Sequence, residues 1–215
     1  MEKEVIKRIF NLLEEKGEHI IPLPVKIKLA MPIAKEDLNV KGDLNLINAN
    51  ITSLPEGLKV GGDLYLNFAK ITSLPEGLKV SGGLSLQDTN IYSLPKGLEV
   101  GGYLMLSFSR ITSLPEGLKV WGDLSLYYCK HLTSLPKGLK VVGNLDLIAS
   151  NVEFLSEGLK VGGGLSLQDT NINSLPKGLE VGRNLYIDDS PLIKYSDNQL
   201  REMIKPGFIK GDIIR

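Results

Sequence analysis

The residues best suited to covalent or metal chemistry are few: one cysteine, Cys129, and two histidines, His19 and His131. Cys129 and His131 stand two residues apart, a spacing that suggests a thiolate with its base or two ligands of a metal. Either role needs more than this pair. A reactive thiolate must be accessible and activated, and one cysteine cannot build a thiolate metal site or an intramolecular disulfide. Cys129 also falls in a recurring column of small residues expected to be buried, where it stands in for serine or threonine. No HExxH, GxSxG, phosphate-loop, paired-cysteine or calcium-loop spacing occurs. Glycine doublets such as Gly61-Gly62 resemble phosphate loops superficially, but no helix follows them and they recur as corners. The expectation is a chain with no catalytic residue, no metal and no cofactor: not an enzyme.

Recognition chemistry is better represented. Asp63, Tyr65 and Phe68 form one group; Tyr103, Met105 and Phe108 a second; Asp123, Tyr127 and Tyr128 a third, with Trp121 just before it. Between them lie the smaller Ser85, Gln87 and Asp88. Tyr, Trp and Met supply rigid contact area, and aromatics ringed by acids and amides suit a protein-recognition patch. The competing reading is that these rings stack along neighbouring strands and steady a sheet.

What positions these side chains is a repeat of twenty residues, LPEGLKVGGxLxLxxxxITS, with ITSLPEGLKV verbatim at 51–60, 71–80 and 111–120. Counted from the residue after each recurrent valine, seven units run 41–60, 61–80, 81–100, 101–120, 121–141, 142–161 and 162–181. An eighth strand is expected at 184–188, and the fifth unit carries one extra residue near Lys130-His131. So short a unit has an apolar edge it cannot bury alone, and stacking on its neighbours is what seals it.

Within each unit two leucines stand two apart, from Leu44/Leu46 through Leu165/Leu167. Period two puts both on one face of a short strand, and that face must be the core. Eight such strands stacked in parallel span about 35–40 Å. Ile or Val follows five residues later (Ile51, Ile71, Ile91, Ile111, Val152, Ile172), then Leu-Pro, a glycine, a leucine and a valine. This return path is too short and too rich in Pro and Gly for a regular helix, so extended or turn-like backbone is expected. Gly57 and its equivalents through Gly178 suggest positive φ or close packing, and Gly42 and its equivalents through Gly163 suggest a second tight corner.

LxLxxxxIxxLP resembles the core of the leucine-rich repeat, LxLxxNxLxxLP, in its short bacterial and phage form. The asparagine position of that family is filled here by Ala49, Ala69, Thr89, Ser109, Cys129, Ser150 and Thr170, so the asparagine ladder is missing. The resemblance covers 41–181. It implies a right-handed, mainly β solenoid with a parallel sheet on its concave face, used for protein recognition, with Asp63, Tyr65, Phe68, Tyr103, Met105, Phe108, Trp121, Asp123, Tyr127 and Tyr128 as candidate partner-binding residues.

An open stack would expose leucines and unpaired strand edges, so both ends need lids. Residues 1–40 are read as an N-terminal helical cap with a degenerate first turn. An amphipathic helix is expected over 2–16 with Val5, Ile9, Phe10 and Leu13 on its apolar face and Gly17 as its stop, and an edge strand over Val25–Leu29. Leu38 and Val40 match the last apolar positions of a unit. Residues 182–215 hold the last strand and a C-terminal cap: Ser196 or Asp197 starts a short helix carrying Leu200, Met203 and Ile204, Pro206-Gly207 ends it, and a closing strand runs from Phe208 to Ile214.

Charge narrows the partners. Twenty-five basic and 25 acidic residues cancel, so no whole-molecule field gathers nucleic acid or anionic membrane. Opposite charges recur at two repeat positions, Glu56/Lys59 and Glu76/Lys79 against Lys96/Glu99, which fits solvated pairing between turns. No Sec-type signal or apolar run of spanning length occurs, so an intracellular, cytoplasmic chain is expected, with a virion or non-Sec export route left open. The function expected is a non-enzymatic scaffold for a protein partner, monomeric unless an oligomer is found. The alternatives are a virion or surface adhesion component and a carbohydrate-binding module.

Overall fold

The computed structural model describes residues 21–215 together with Glu4, Val5, Arg8, Asn11 and Leu12. The chain is a parallel β solenoid with two nine-stranded sheets, each strand two residues long. One sheet is built from the paired-leucine positions, Leu44–Asn45 through Ile213–Ile214. The other, which the periodicity did not predict, is built from the valine positions that precede each glycine corner, Asn39–Val40 through Phe208–Ile209. Register advances one repeat per turn, Leu44 beside Leu64 and Leu64 beside Leu84. It survives the insertion, with Leu124 beside Leu145, because the extra residue is absorbed in a turn at Lys130-His131.

The two sheets meet at a corner where the hydrogen bonding reverses direction. On the valine side N–H groups point to the preceding turn, Gly61 to Val40 O at 2.7 Å and Gly62 to Gly42 O at 3.0 Å. On the leucine side they point to the following turn, Leu64 to Gly83 O and Leu66 to Ser85 O, both at 2.8 Å. The paired leucines are fully enclosed between the sheets, and one apolar core runs from Leu23 to Ile213. Ala49, Ala69, Thr89, Ser109, Cys129, Ser150 and Thr170 are buried as expected, and the Thr89 and Thr170 hydroxyls donate to Leu86 O and Leu167 O.

Both glycine columns have a physical reason. Gly57 and its six equivalents take φ between 67° and 78°, a region hostile to a Cβ. The corner glycines from Gly62 to Gly163 are instead constrained by contact, as a Cβ at Gly122 would lie 2.9 Å from the backbone of Gly102; Gly42, in the first unit, has open space there.

The ends depart from expectation. Val25–Leu29 is no edge strand; it lies in helix α1, Leu23–Leu29. Its alternating pattern is compatible with period two, but Leu23 and Ile27, four apart, both enter the core, and Pro22 and Pro24 favour a helical start. Lys26 is buried with them and its ammonium meets Asp37 at 2.9 Å. Burial resists ionisation of Asp37, yet the bonds from Lys26 and the Ala34 N–H outweigh it and hold the carboxyl below its ordinary value. Most of the helix expected over 2–16, with Ile9, Phe10, Leu13 and Gly17, lies outside the described residues. Val5, assigned to its buried face, is exposed.

At the other end α2, Asp197–Met203, begins at Ser196 with a reciprocal capping box to Gln199. The closing strand is two strands, Phe208–Ile209 and Ile213–Ile214, one added to each sheet. Residues 208–214 thus make a shortened ninth turn, with Gly211 at its corner. The Arg201 guanidinium donates to the carbonyls of Ile209 and Gly211, occupying acceptors on the last turn. Among the described residues no helix is long and apolar enough to cross a membrane.

Candidate functional site

The outward face of the leucine sheet is organised in columns, because each position of the repeat stacks on its equivalent in the next turn. The first column opens each leucine strand: Asp43, Asp63, Gly83, Tyr103, Asp123, Asn144, Gly164 and Asn184. Here the ladder changes direction, and side chains accept the N–H groups left between. Asp43 Oδ1 accepts from Asp63 N at 2.8 Å, Asp63 from Gly83 at 2.6 Å, Asp123 from Asn144 at 2.7 Å and Asn144 from Gly164 at 2.8 Å. Asp63 and Asp123 therefore act as rungs of the solenoid as well as surface groups.

Asp63 is also the centre of a hydrogen-bonded cluster. Its Oδ2 accepts from Tyr65 Oη at 2.9 Å and from Tyr103 Oη at 3.0 Å. The Gly83 N–H, followed by the two hydroxyls, favours the carboxylate over the opposing effect of burial, and its pKa is lowered. Burial and the bonds to Tyr65 and Asp63 push the Tyr103 hydroxyl upward. Met105 lies beside Ser85 and Ser125 in the next column. Sequence reasoning passed over Asp146, which pairs with Ser166 in that column. Burial raises its pKa against the bonds from Ile148 N, 2.9 Å, and Ser125 Oγ, 3.3 Å.

The edge of the same face is a corner column: Asn48, Phe68, Asp88, Phe108, Tyr128, Ala149, Asp169 and Asp189, all with φ between 52° and 60°. Asn and Asp tolerate this left-handed conformation; a bulky aromatic there is strained, by about 1–2 kcal/mol. Phe68, Phe108 and Tyr128 nevertheless occupy it and stand 55 %, 50 % and 46 % exposed. Phe108 meets Tyr127 edge-on with ring centroids 5.1 Å apart and Tyr128 at 5.3 Å. Lys130 Nζ lies 4.6 Å from the centre of the Tyr128 ring. Sequence reasoning overlooked that lysine, although aromatic–small–basic is legible at Phe68-Ala69-Lys70, Phe108-Ser109-Arg110 and Tyr128-Cys129-Lys130.

The ten expected site residues thus divide. Asp63, Tyr65 and Tyr103 share hydrogen bonds; Phe108, Tyr127 and Tyr128 share ring contacts; Phe68 stands in the same corner column two turns before Phe108. Trp121 is set apart. It occupies the corner between the two sheets, 63 % exposed, beside a depression of about 550 Å³ lined also by Lys79, Glu99, Glu116 and Lys119. Cys129 is enclosed, its thiol donating to Leu106 O at 3.1 Å, and burial pushes its pKa up to about 11. Among the described residues no three of His, Cys, Asp and Glu come together to hold a metal ion. No protein-family model matches this chain, and no curated protein matches it.

Proposed function

We propose that this protein is a non-enzymatic scaffold that holds the leucine-sheet face and its aromatic corner ready for a protein partner. The observation that carries this reading is the Phe108–Tyr127–Tyr128 cluster, ordered by ring contacts yet open to solvent. Rings already fixed on a hydrogen-bonded sheet lose little freedom on docking, so more of their contact energy becomes affinity. The strained φ at Phe108 and Tyr128 supports the same reading, since the fold is satisfied by Asp88 and Asp169 at equivalent positions. The resemblance to short leucine-rich repeats points to protein recognition as well.

The test is capture by immobilised full chain from a lysate of the cells that make it, compared with the Tyr103→Ala/Tyr127→Ala variant. The variant is expected to keep its circular dichroism spectrum and lose the captured protein. Equal capture by a folded variant would overturn the assignment of this face.

A further inference from the structure

We infer that the docking segment of the partner is an acidic peptide with apolar anchors, bound along the corner edge through three aromatic–basic pairs: Phe68/Lys70, Phe108/Arg110 and Tyr128/Lys130. This rests on the protein-scaffold reading and names the chemistry of its partner.

The two kinds of residue occur together. Wherever the corner holds an aromatic, the residue two positions on is basic; where it holds Asn48, Asp88, Ala149 or Asp169, that residue is Asn50, Asn90, Asn151 or Asn171. At one of these positions the asparagine visibly serves the fold: Asn151 Nδ2 donates to Lys130 O of the preceding turn at 2.8 Å. Lys70 and Arg110 are exposed and Lys130 partly so. Among the described residues none of the three has a carboxylate within ion-pairing distance, unlike Lys79 with Glu99 and Lys160 with Glu180. Strained rings, and cations with no carboxylate partner among the described residues, thus occur in the same turns and suit one ligand. Apolar side chains would lie on the rings, and carboxylates on the cations beside them.

The pairs stand in the second, fourth and fifth turns. At about 4.8 Å per turn, Lys70 and Arg110 are roughly 10 Å apart, the reach of three residues of extended chain. The edge therefore suits acidic residues spaced by two uncharged ones, over about five to eight residues in all. A nucleic acid suits it less well. Exposed Asp88 interrupts the row between Phe68 and Phe108, Asp169 and Asp189 continue the corner beyond Tyr128, and the chain has no net charge. A continuous phosphate backbone would cross Asp88, whereas a peptide can place a neutral residue there.

The experiment selects random twelve-residue peptides on the immobilised full chain and measures the best binder by fluorescence anisotropy at low and high salt. Two triple variants are compared, Lys70→Asn/Arg110→Asn/Lys130→Asn and Phe68→Asn/Phe108→Asn/Tyr128→Asn. Both install residue types this solenoid already uses at equivalent positions, so folding is expected to survive; the single variant Arg110→Asn serves if either does not. Acidic peptides with apolar residues are expected, binding at least tenfold more weakly to each triple variant and more weakly at high salt. Peptides without acidic bias that bind the variants equally, but fail on Tyr103→Ala/Tyr127→Ala, overturn the inference and leave the scaffold reading standing. No selectable peptide at all counts against both. A labelled 20-nucleotide oligo-dT that binds more tightly than the best peptide reassigns the edge to nucleic acid.

Discussion

The Tyr103 hydroxyl donates to the Asp63 carboxylate across 3.0 Å, although the two residues are 40 positions apart in the chain. A whole turn lies between them, and it is passable because that turn presents Gly83: a Cβ there would sit 2.3 Å from the Tyr103 ring. Tyr65 and the Gly83 N–H bind the same carboxylate, so a single side chain ties three turns. Asp63→Ala is expected to destabilise the fold by about 1–2 kcal/mol and Tyr103→Phe by about 0.5–1 kcal/mol. Gly83→Ala should displace the ring. Combined with Tyr103→Phe, its effect on the urea midpoint should be clearly less than additive.

The same cluster sets a pH dependence. Asp63 is held below its ordinary value, mainly by the Gly83 N–H and then by the two tyrosine hydroxyls against burial. A lowered folded pKa means that its contribution is complete above the unfolded value, about 3.9, and disappears as pH falls through the lower folded one. Asp146 behaves oppositely, because burial raises its pKa despite the bonds from Ile148 and Ser125. Asp146→Asn should therefore stabilise the protein at neutral pH, with the gain fading as pH falls from the raised folded value to the unfolded one. Urea melts of Asp63→Asn and Asp146→Asn at pH 7 and pH 3 separate the two: each difference from the native chain should shrink at pH 3, from opposite sides.

The solenoid was legible because its signal is redundant. Leu64/Leu66 and their equivalents state the same burial pattern in every unit, and stacking is the one arrangement that hides them all. The valine sheet was less legible, since a pair such as Lys59-Val60 gives a strand at most one buried residue and too little length for a period. Hydrogen-bond direction is equally silent in sequence, so Asp63 and Asp123 read as surface acids and not as acceptors for the next turn. The helix at Leu23–Leu29 was misread because Val25-Lys26-Ile27-Lys28 alternates; the buried pairing of Lys26 with Asp37 depends on a contact eleven residues away. Trp121, at the opening corner of the fifth unit, was grouped with the other aromatics; it does stand at that corner, beside a depression that none of the other candidate residues lines.

The leucine ladder itself should be costly to perturb. Leu104 and Leu126 are completely enclosed and stand in adjacent turns. Truncation of either leaves a void that neighbouring turns, fixed by their own hydrogen bonds, can close only in part. Leu104→Ala and Leu126→Ala are each expected to destabilise the protein by about 2–5 kcal/mol in denaturant melts.

Backbone conformation gives a prediction of opposite sign. Gly77 has φ of 71° with open space around its Cβ direction, so Gly77→Ala should lose about 1 kcal/mol through conformation alone. Gly122→Ala should lose more, because the new methyl meets the Gly102 backbone and pushes two turns apart. Phe68 also lies at positive φ, 59°, where asparagine is more comfortable. Phe68→Asn is therefore expected to raise stability by about 1 kcal/mol. A marked loss would mean that the ring supports the fold and is not held out at its expense.

The buried thiol offers a probe of how the stack opens. Cys129 lies fully inside, donates to Leu106 O, and has its pKa pushed up to about 11 from an ordinary 9.0 by burial, against the favourable contacts of Ser109. A neutral thiol without access to solvent should not react with a disulfide reagent at neutral pH while the turns are closed. Labelling should follow the fraction of molecules opened by urea and show no fast phase in its absence. The raised folded pKa also fixes the alkaline behaviour. Stability is complete below the unfolded value and is lost as pH rises towards the folded one, because the unfolded thiol ionises first. Cys129→Ser, whose hydroxyl can keep the bond to Leu106, should flatten that decline between pH 9.0 and about 11. Rapid labelling of the native chain at neutral pH would show that the fifth turn opens independently of its neighbours.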